Sequence, residues 1–153
     1  MTYRVEVVSS IDEDAFLAIY NANKDEIVAN SGYEEYERLL LQFKMEGSFV
    51  IAGIDNDTNE HVGYASGVVS KINWHLTNIV AKSPAVFMAL SGDLMHSIML
   101  ENKIAAVHTW CKKDSSMYDT VQASFNRPDL YLADPPVKRD EDFYNIKLHL
   151  IVK

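Results

Sequence analysis

Hydrophobic positions along the chain recur with two different periods, and the period changes from segment to segment. Near the N-terminus, Tyr3, Val5 and Val7 alternate with Arg4 and Glu6, which is typical of a strand with one buried face. The same alternation, together with β-branched and aromatic content, predicts strands at 2–8, 48–54, 61–70, 72–80, 104–110, 129–133 and 143–152.

Four other segments repeat their apolar residues every three or four positions, which is the period of an amphipathic helix. They predict helices at 10–27, 33–43, 84–102 and 115–125. The first helix would begin with a capping box, in which Ser10 caps the N-terminus and Glu13 stands at the third helical position. Pro84 suits the first turn of the third helix.

The resulting order, β-α-α-β-β-β-α-β-α-β-β, predicts an α/β (α+β) fold. We expect a single mixed, mostly antiparallel, twisted sheet with helices on both faces. The chain has 153 residues and shows no linker, repeat or low-complexity segment, so we expect one domain over 1–153.

Composition narrows the choice of partners. Lys and Arg number 14 against 22 Asp and Glu, and the net charge of −8 argues against a nonspecific nucleic-acid surface.

The longest strongly apolar run, Ala85–Leu90, is far shorter than the roughly 20 residues of a membrane span. The single cysteine, Cys111, excludes an internal disulfide and fits a reducing compartment. We expect a cytoplasmic protein, or a virion protein if a phage encodes it.

The predicted strand at 72–80 leads into a helix without a glycine at the junction. In α+β folds such a turn often exposes backbone N–H groups that bind a phosphate. Here the segment reads Ser83-Pro-Ala-Val-Phe-Met-Ala-Leu90, and the first glycine is Gly92. Bulky side chains in this segment would keep the backbone away from a phosphate.

The order of elements resembles the GNAT fold (GCN5-related N-acetyltransferases) over nearly the whole chain. The segment Val62-Gly-Tyr-Ala65 is similar to the V-G-Y/F sequences that are common in the second and third strands of that family. The resemblance implies an acyl-CoA N-acyltransferase fold, with acetyl-CoA as the acyl donor in an active member.

The cofactor motif of the family, Gln/Arg-x-x-Gly-x-Gly/Ala, should lie at about Phe87–Asp93. This chain has Met88 at the first position and Leu90 or Ser91 at the first glycine, and Asp93 would repel a pyrophosphate. We therefore interpret the chain as a non-catalytic GNAT-fold protein that binds no cofactor and acts as a structural, assembly or protein-binding component.

The entry to the third helix, Leu90-Ser-Gly92, and the aromatic strand end at Trp110 resemble GNAT-like internal or assembly proteins of short-tailed phages. That resemblance implies virion or host proteins as partners. Two alternatives stay open. One is an acyl-CoA-dependent N-acetyltransferase with a noncanonical phosphate loop, and the other is an acidic inhibitor of a host protein.

The enzyme alternative assigns a cofactor site by resemblance. The backbone at Asn78, Ile79 and Val80 would hold the pantetheine arm of acetyl-CoA, and Ser91 and Gly92 would face its phosphates.

The same alternative names three catalytic candidates. Tyr118 follows Met117 where GNAT enzymes carry a Leu-Tyr pair, so it would protonate the leaving thiolate. His75 or His108, on neighbouring predicted strands, would accept a proton from the amine, because a pKa of about 6.5 suits proton transfer at neutral pH.

Two further sequences imitate metal sites, and no metal is expected at either. His108-x-x-Cys111 lacks a third ligand at a plausible spacing. The segment Asp55–Asn59 starts like a calcium loop, but Glu60 stands where that loop needs glycine and Ser66 where it needs glutamate.

Two surface segments complete the set of candidates. The acidic segment Tyr33–Glu37 corresponds to the acceptor region of GNAT enzymes and would select cationic amines, or it forms a solvated helical face. The loop Asp134–Asp142 suits a protein contact.

Overall fold

The computed structural model describes residues 2–24, 35–112, 116–138 and 141–152. Its helices are α1 (Glu13–Ala22), α2 (Tyr36–Phe43), α3 (Pro84–Ser91), α4 (Asp93–Glu101) and α5 (Ser116–Ser124). Its strands are β1 (Tyr3–Val7), β2 (Phe49–Asp55), β3 (His61–Ser70), β4 (Asn73–Ala81), β5 (Ala106–Lys112), β6 (Tyr131–Ala133), β7 (Val137–Lys138) and β8 (Phe143–Leu150). Within these ranges, every helix is too short or too polar to cross a bilayer.

The described strands form one sheet in the order β1-β2-β3-β4-β5-β8-β6, and β7 also pairs with β8. Each described pair is antiparallel except β4 with β5, which is parallel. The predicted fold class, a mixed and mostly antiparallel sheet with helices on both faces, is confirmed.

Helices cover the two faces of the sheet unequally. On one face, α1 and α2 pack Phe16, Ile19 and Leu39 against β2, β3 and the end of β4. On the other face, a larger core that contains Trp74 and Val121 is closed by α3, α4 and α5. Among the described residues, no helix covers the α1/α2 face over β5 and β8.

The first helix begins two residues later than the capping box predicts. Asp12, not Ser10, is the N-cap, and its carboxylate accepts a hydrogen bond from the Ala15 N–H at 3.0 Å. The backbone N–H of Asp12 donates to the hydroxyl of Tyr64 at 2.9 Å. This tie to β3 fixes the helix start at Asp12.

The helix predicted at 84–102 is two helices that meet at Gly92, where φ is −80° and ψ is −123°. Just before the break, Leu90 packs into a notch formed by two paired glycines, Gly53 of β2 and Gly63 of β3. A Cβ atom at Gly53 would lie 2.4 Å from Leu90 Cδ1, so the close approach of α3 to the sheet depends on the glycine.

Some sequence predictions fall outside the described residues. Ile27, Tyr33 and Ser115 are among them, as are parts of the acidic segment 33–37 and of the loop 134–142. Strand β7 lies within that loop and was missed by the pattern, because two residues are too few to show alternation.

Candidate functional site

Strands β4 and β5 pair over three residues and then separate. The pairing joins Asn73–His75 to Ala106–His108, whereas β4 continues to Ala81 and β5 to Lys112. Among the residues that the structure describes, no strand pairs with the β5-facing edge of β4 beyond His75. We call this opening the fork.

A β-bulge in β4 lies where the fork opens. Ser66 pairs with Asn78 and Gly67 pairs with Leu76, so Thr77 is an extra residue on β4. The Thr77 hydroxyl donates to the Ser66 carbonyl oxygen at 3.2 Å, and a Cβ atom at Gly67 would lie 2.1 Å from the His75 carbonyl oxygen. The bulge therefore requires glycine at 67 and bends β4 away from β5.

The register of β3 and β4 determines which peptide groups face the fork. The Lys82 N–H donates to the Val62 carbonyl oxygen at 3.0 Å, and peptide groups alternate between the two edges of an antiparallel strand. Val80 therefore bonds to β3, whereas the N–H and C=O of Ile79 and the N–H of Ala81 face the fork. Asn23 Nδ2 donates to the Ala81 carbonyl oxygen at 2.7 Å.

Of the predicted cofactor-binding positions on this strand, Ile79 presents its backbone to the fork, and the Val80 peptide faces β3. The Asn78 side chain is buried, and its Nδ2 lies 3.4 Å from the Thr77 hydroxyl.

The turn from β4 to α3 consists of Lys82 and Ser83, and few N–H groups are free at the helix start. Pro84 has no N–H, the Val86 N–H donates to Ser83 Oγ at 3.2 Å, and the Phe87 N–H donates to the Ser83 carbonyl oxygen at 3.0 Å. The Ala85 N–H remains, and the Lys82 ammonium lies 3.4 Å from a Glu60 carboxylate oxygen.

Ser91 and Gly92 lie at the far end of α3, away from this turn. Ser91 is fully buried, and its carbonyl oxygen accepts a hydrogen bond from the Tyr131 hydroxyl at 3.2 Å. Asp93 forms an ion pair with Arg127 at 3.5 Å. The structure therefore does not bring Ser91 and Gly92 together with the edge of β4, because they serve the junction of α3 with α4.

His75 and His108 come together on one face of the sheet. Their neighbours Trp74, Leu76 and Val107 point into the larger core, so both histidines point to the α1/α2 side. The rings stack with centroids 5.0 Å apart. We call the open side of β4, β5 and β8 that carries His75, His108, Trp110 and Lys147 the histidine face.

The pKa of His108 is lower than that of an ordinary histidine, which favours the neutral imidazole. Desolvation by burial lowers its pKa, and the positive charges of Lys147, His75 and His149 lower the pKa further. Asp134 alone acts in the opposite direction. At neutral pH the imidazole is therefore available to accept a proton.

A cleft of about 530 Å³ opens on the histidine face at the mouth of the fork. Its walls come from the diverging parts of β4 and β5, from β8 and from the segment before β7. Its side chains include His75, Thr77, His108, Trp110, Asp134, Pro135, Val137, Asn145 and Lys147. The cleft thus combines two imidazoles, one ammonium, one carboxylate and an apolar wall.

Tyr118 lies on the opposite side of the sheet, near the end of β5. It packs against the larger core, and its ring centroid is 5.4 Å from that of Tyr144 on β8. Cys111 is also on that side, where burial raises the pKa of its thiol to about 12 and keeps it protonated. His108 and Cys111 therefore point to opposite faces, and no three His, Cys, Asp or Glu side chains within the described ranges converge as metal ligands do.

The sequence matches no protein-family model and no curated protein. The fold, however, is similar to that of several solved N-acetyltransferases. Aminoglycoside 6'-acetyltransferase type Ii superposes with a TM-score of 0.66 at 10% identity over 97% of this chain and 98% of that one. The Escherichia coli ribosomal-protein-S18-alanine N-acetyltransferase gives a TM-score of 0.62 at 10% identity over 99% and 96%.

A third structure is the Campylobacter jejuni N-acetyltransferase PseH in complex with acetyl coenzyme A. It gives a TM-score of 0.58 at 13% identity over 97% of this chain and 99% of that one. At these identities the similarity establishes the fold, and the GNAT fold predicted from the sequence is confirmed.

These comparisons correct the main functional interpretation of the sequence. A non-catalytic assembly or protein-binding role is contradicted, because the structures that share the fold are N-acetyltransferases and the enzyme alternative agrees with them better. None of the three is a virion protein. The expectation that the chain binds no cofactor is not confirmed and stays a prediction, as does the acidic-inhibitor alternative.

Proposed function

We propose that the protein is an acetyl-CoA-dependent N-acetyltransferase that acts on a primary amine. The observation that carries the proposal is the fork, where a bulge frees one edge of β4 directly beside the two stacked histidines. An unpaired strand edge binds an extended chain of amides through its own N–H and C=O groups.

The edge of β4 fits the pantetheine arm of the acyl donor, because that arm is extended and contains amides. The N–H and C=O of Ile79 and the N–H of Ala81 are the groups that would hold it. When bound, acetyl-CoA supplies a thioester carbonyl that an uncharged amine attacks.

The helix start fits the diphosphate of the donor less well. Ser83 occupies one N–H group and Pro84 removes another, which leaves the Ala85 N–H and the ammonium of Lys82 as partners for an anion. Donor affinity would therefore depend on the edge of β4 more than on the helix start.

His108 is the stronger candidate for the proton acceptor. It is less exposed than His75, and its lowered pKa keeps it neutral at pH 7. It lines the cleft through which an amine would reach the fork, and it would take the proton that the amine loses as the N–C bond forms.

Tyr118 is the candidate for the proton donor. It lies on the side of the sheet opposite to His108, where its ring packs against Tyr144 of β8 near the end of β5. Its hydroxyl would protonate the thiolate that leaves as the C–S bond breaks. The proton acceptor and the proton donor would thus act from opposite sides of the thioester.

Two measurements test the proposal. Calorimetric titration of the protein with acetyl-CoA should show saturable binding, and a thermal melt should rise with ligand concentration as linkage requires. Release of free CoA thiol should then depend on an added amine. Absence of both heat and thermal shift at millimolar acetyl-CoA would contradict the proposal.

A further inference from the structure

The described lining of the cleft does not share the acidic excess of the whole protein. The chain carries a net charge of −8, yet the described lining of the cleft contains one carboxylate, Asp134, beside the ammonium of Lys147. Asp134 is already engaged, because its Oδ2 lies 3.1 Å from His149 Nε2. Within the described part of the chain, no ion pair is formed by Lys147.

The register of β5 and β8 places the unpaired cation directly beside the proton acceptor. His108 pairs with Lys147 and Trp110 pairs with Asn145, and all four side chains line the cleft. Directly opposite residues of an antiparallel pair have Cβ atoms about 4.5–5.5 Å apart. The two side chains are therefore neighbours, so a ligand that carries its amine and its carboxylate on the same carbon atom can contact both.

An apolar wall borders this pair of polar groups. Trp110 is 38% exposed and Val137 is 62% exposed, and Pro135 also belongs to the lining. The Trp110 ring is held edge-on by Phe143, with centroids 4.8 Å apart. An indole that packs against Phe143 and is partly exposed in the cleft wall offers a contact for a large apolar group.

We infer that the acceptor is an α-amino acid with a large apolar side chain, rather than a polyamine or another polycation. The inference rests on the proposed function. The carboxylate would contact Lys147, the amine would face His108, and the side chain would lie against Trp110, Pro135 and Val137. A polycation would be repelled by Lys147, and the one carboxylate in the described lining is already engaged. Binding of a polycation would therefore be unfavourable.

The electrostatics at His108 agree with this assignment. Desolvation is the largest cause of the lowered pKa of His108. The positive charges of Lys147, His75 and His149 come next, so the electric field at this site favours a negatively charged ligand group. The expectation that the acidic segment 33–37 selects cationic amines points the other way, but residues 33 and 34 lie outside the described part of the chain.

A binding test separates this inference from the proposed enzymatic activity. The probe is N-acetyl-L-phenylalanine, a product-like anion, and N-acetylphenethylamine is its uncharged match. The ¹⁵N-labelled imidazoles are followed by NMR as a function of pH. The anion should bind and raise the pKa of His108, since a bound carboxylate favours the imidazolium, and the uncharged match should not.

A charge-removing variant gives the second arm. Lys147→Gln should weaken binding of the anion about tenfold, as expected for one charge-assisted contact, and Lys103→Gln, a lysine outside the cleft, should not change it. Equal binding of the two probes, or an equal effect of both substitutions, would overturn the inference.

Turnover supplies the third arm. With acetyl-CoA, kcat/KM for L-phenylalanine should exceed that for phenethylamine and spermidine, and Lys147→Gln should remove the preference. Faster acetylation of spermidine would overturn the inference and leave the proposed function intact. Absence of CoA release with every amine would contradict the proposed function, while the NMR titration would still decide whether the cleft selects anions.

Discussion

His75 and His108 are the last residues that pair β4 with β5, and their imidazole rings stack at 5.0 Å with an angle of 22° between the ring planes. Beyond them the two strands separate. The proposed site therefore lies where the parallel pairing of β4 with β5 ends. His75 and His108 form the last pair before the fork.

The first prediction concerns His108 and its pH dependence. His108→Asn should lower kcat/KM about a hundredfold, because it removes the proton acceptor, and His75→Asn should lower it less. In the wild type the rate should fall as the pH drops through the pKa of His108. Since burial and neighbouring positive charges lower that pKa, the acid limb of the profile should lie below pH 6.5.

Steady-state rates between pH 5 and 8 check this prediction. The acid limb should disappear in His108→Asn and persist in His75→Asn. An unchanged limb in His108→Asn, with circular dichroism showing a folded protein, would exclude His108 as the base.

The second prediction concerns Tyr118. Tyr118→Phe should lower the transfer rate from acetyl-CoA, because an alkyl thiolate leaves poorly without a proton. The deficit should shrink with an acetyl arylthioester, whose thiolate needs no protonation. Tyr36→Phe, on α2 at the other face of the sheet, is the matched control and should leave both rates unchanged. An equal deficit with both donors would indicate that Tyr118 acts by packing against Tyr144 instead.

The third prediction uses proline to remove single N–H groups from β4. Ile79→Pro deletes an N–H that faces the fork, so it should weaken acetyl-CoA binding about tenfold. Val80→Pro deletes an N–H that bonds to β3, so it should lower the melting temperature more strongly. Calorimetry and thermal melts on both variants measure the two effects. Full acetyl-CoA affinity in Ile79→Pro would show that the edge of β4 does not hold the donor.

The fourth prediction concerns the notch that receives Leu90. Gly53→Ala should destabilise the protein by about 1–3 kcal/mol, because the new methyl group overlaps Leu90. Adding Leu90→Ala should cost less in the Gly53→Ala background than in the wild type. Urea denaturation of the four proteins gives the coupling energy. Additive effects would mean that the two positions do not compete for the same space.

Much of the fold follows from periodicity in the sequence. The strand at His61–Ser70 has the bounds that the pattern predicts, and Val121 on the last helix and Phe125 just after it are buried. The break at Gly92 was not predicted, because the apolar period continues through it from Leu90 to Ile98.

The candidate site could be predicted only in part. His75 and His108 were candidates from their positions on neighbouring strands, but their shared face depends on strand register, which the sequence does not reveal. Trp110 and Lys147 were missed as lining residues, because their contact with the cleft depends on the pairing of β5 with β8. The expectation that Ser91 and Gly92 lie near the phosphates came from placing the family's cofactor motif at Phe87–Asp93, whereas the strand meets the helix at Lys82 and Ser83.

The extra residue Thr77 also has a consequence for how this site can change over generations. It interrupts the alternation of side chains along β4, so that Ile79 lies on the same side of the sheet as Leu76 although three positions separate them. Point substitutions around it adjust one contact at a time. Loss of its single codon would instead leave every other residue of β4 paired as it is, because the Ser66–Asn78 and Gly67–Leu76 pairs would become consecutive, and would remove the bulge that bends β4 away from β5. The opening at the fork, and with it the proposed donor site, therefore depends on one extra residue in β4.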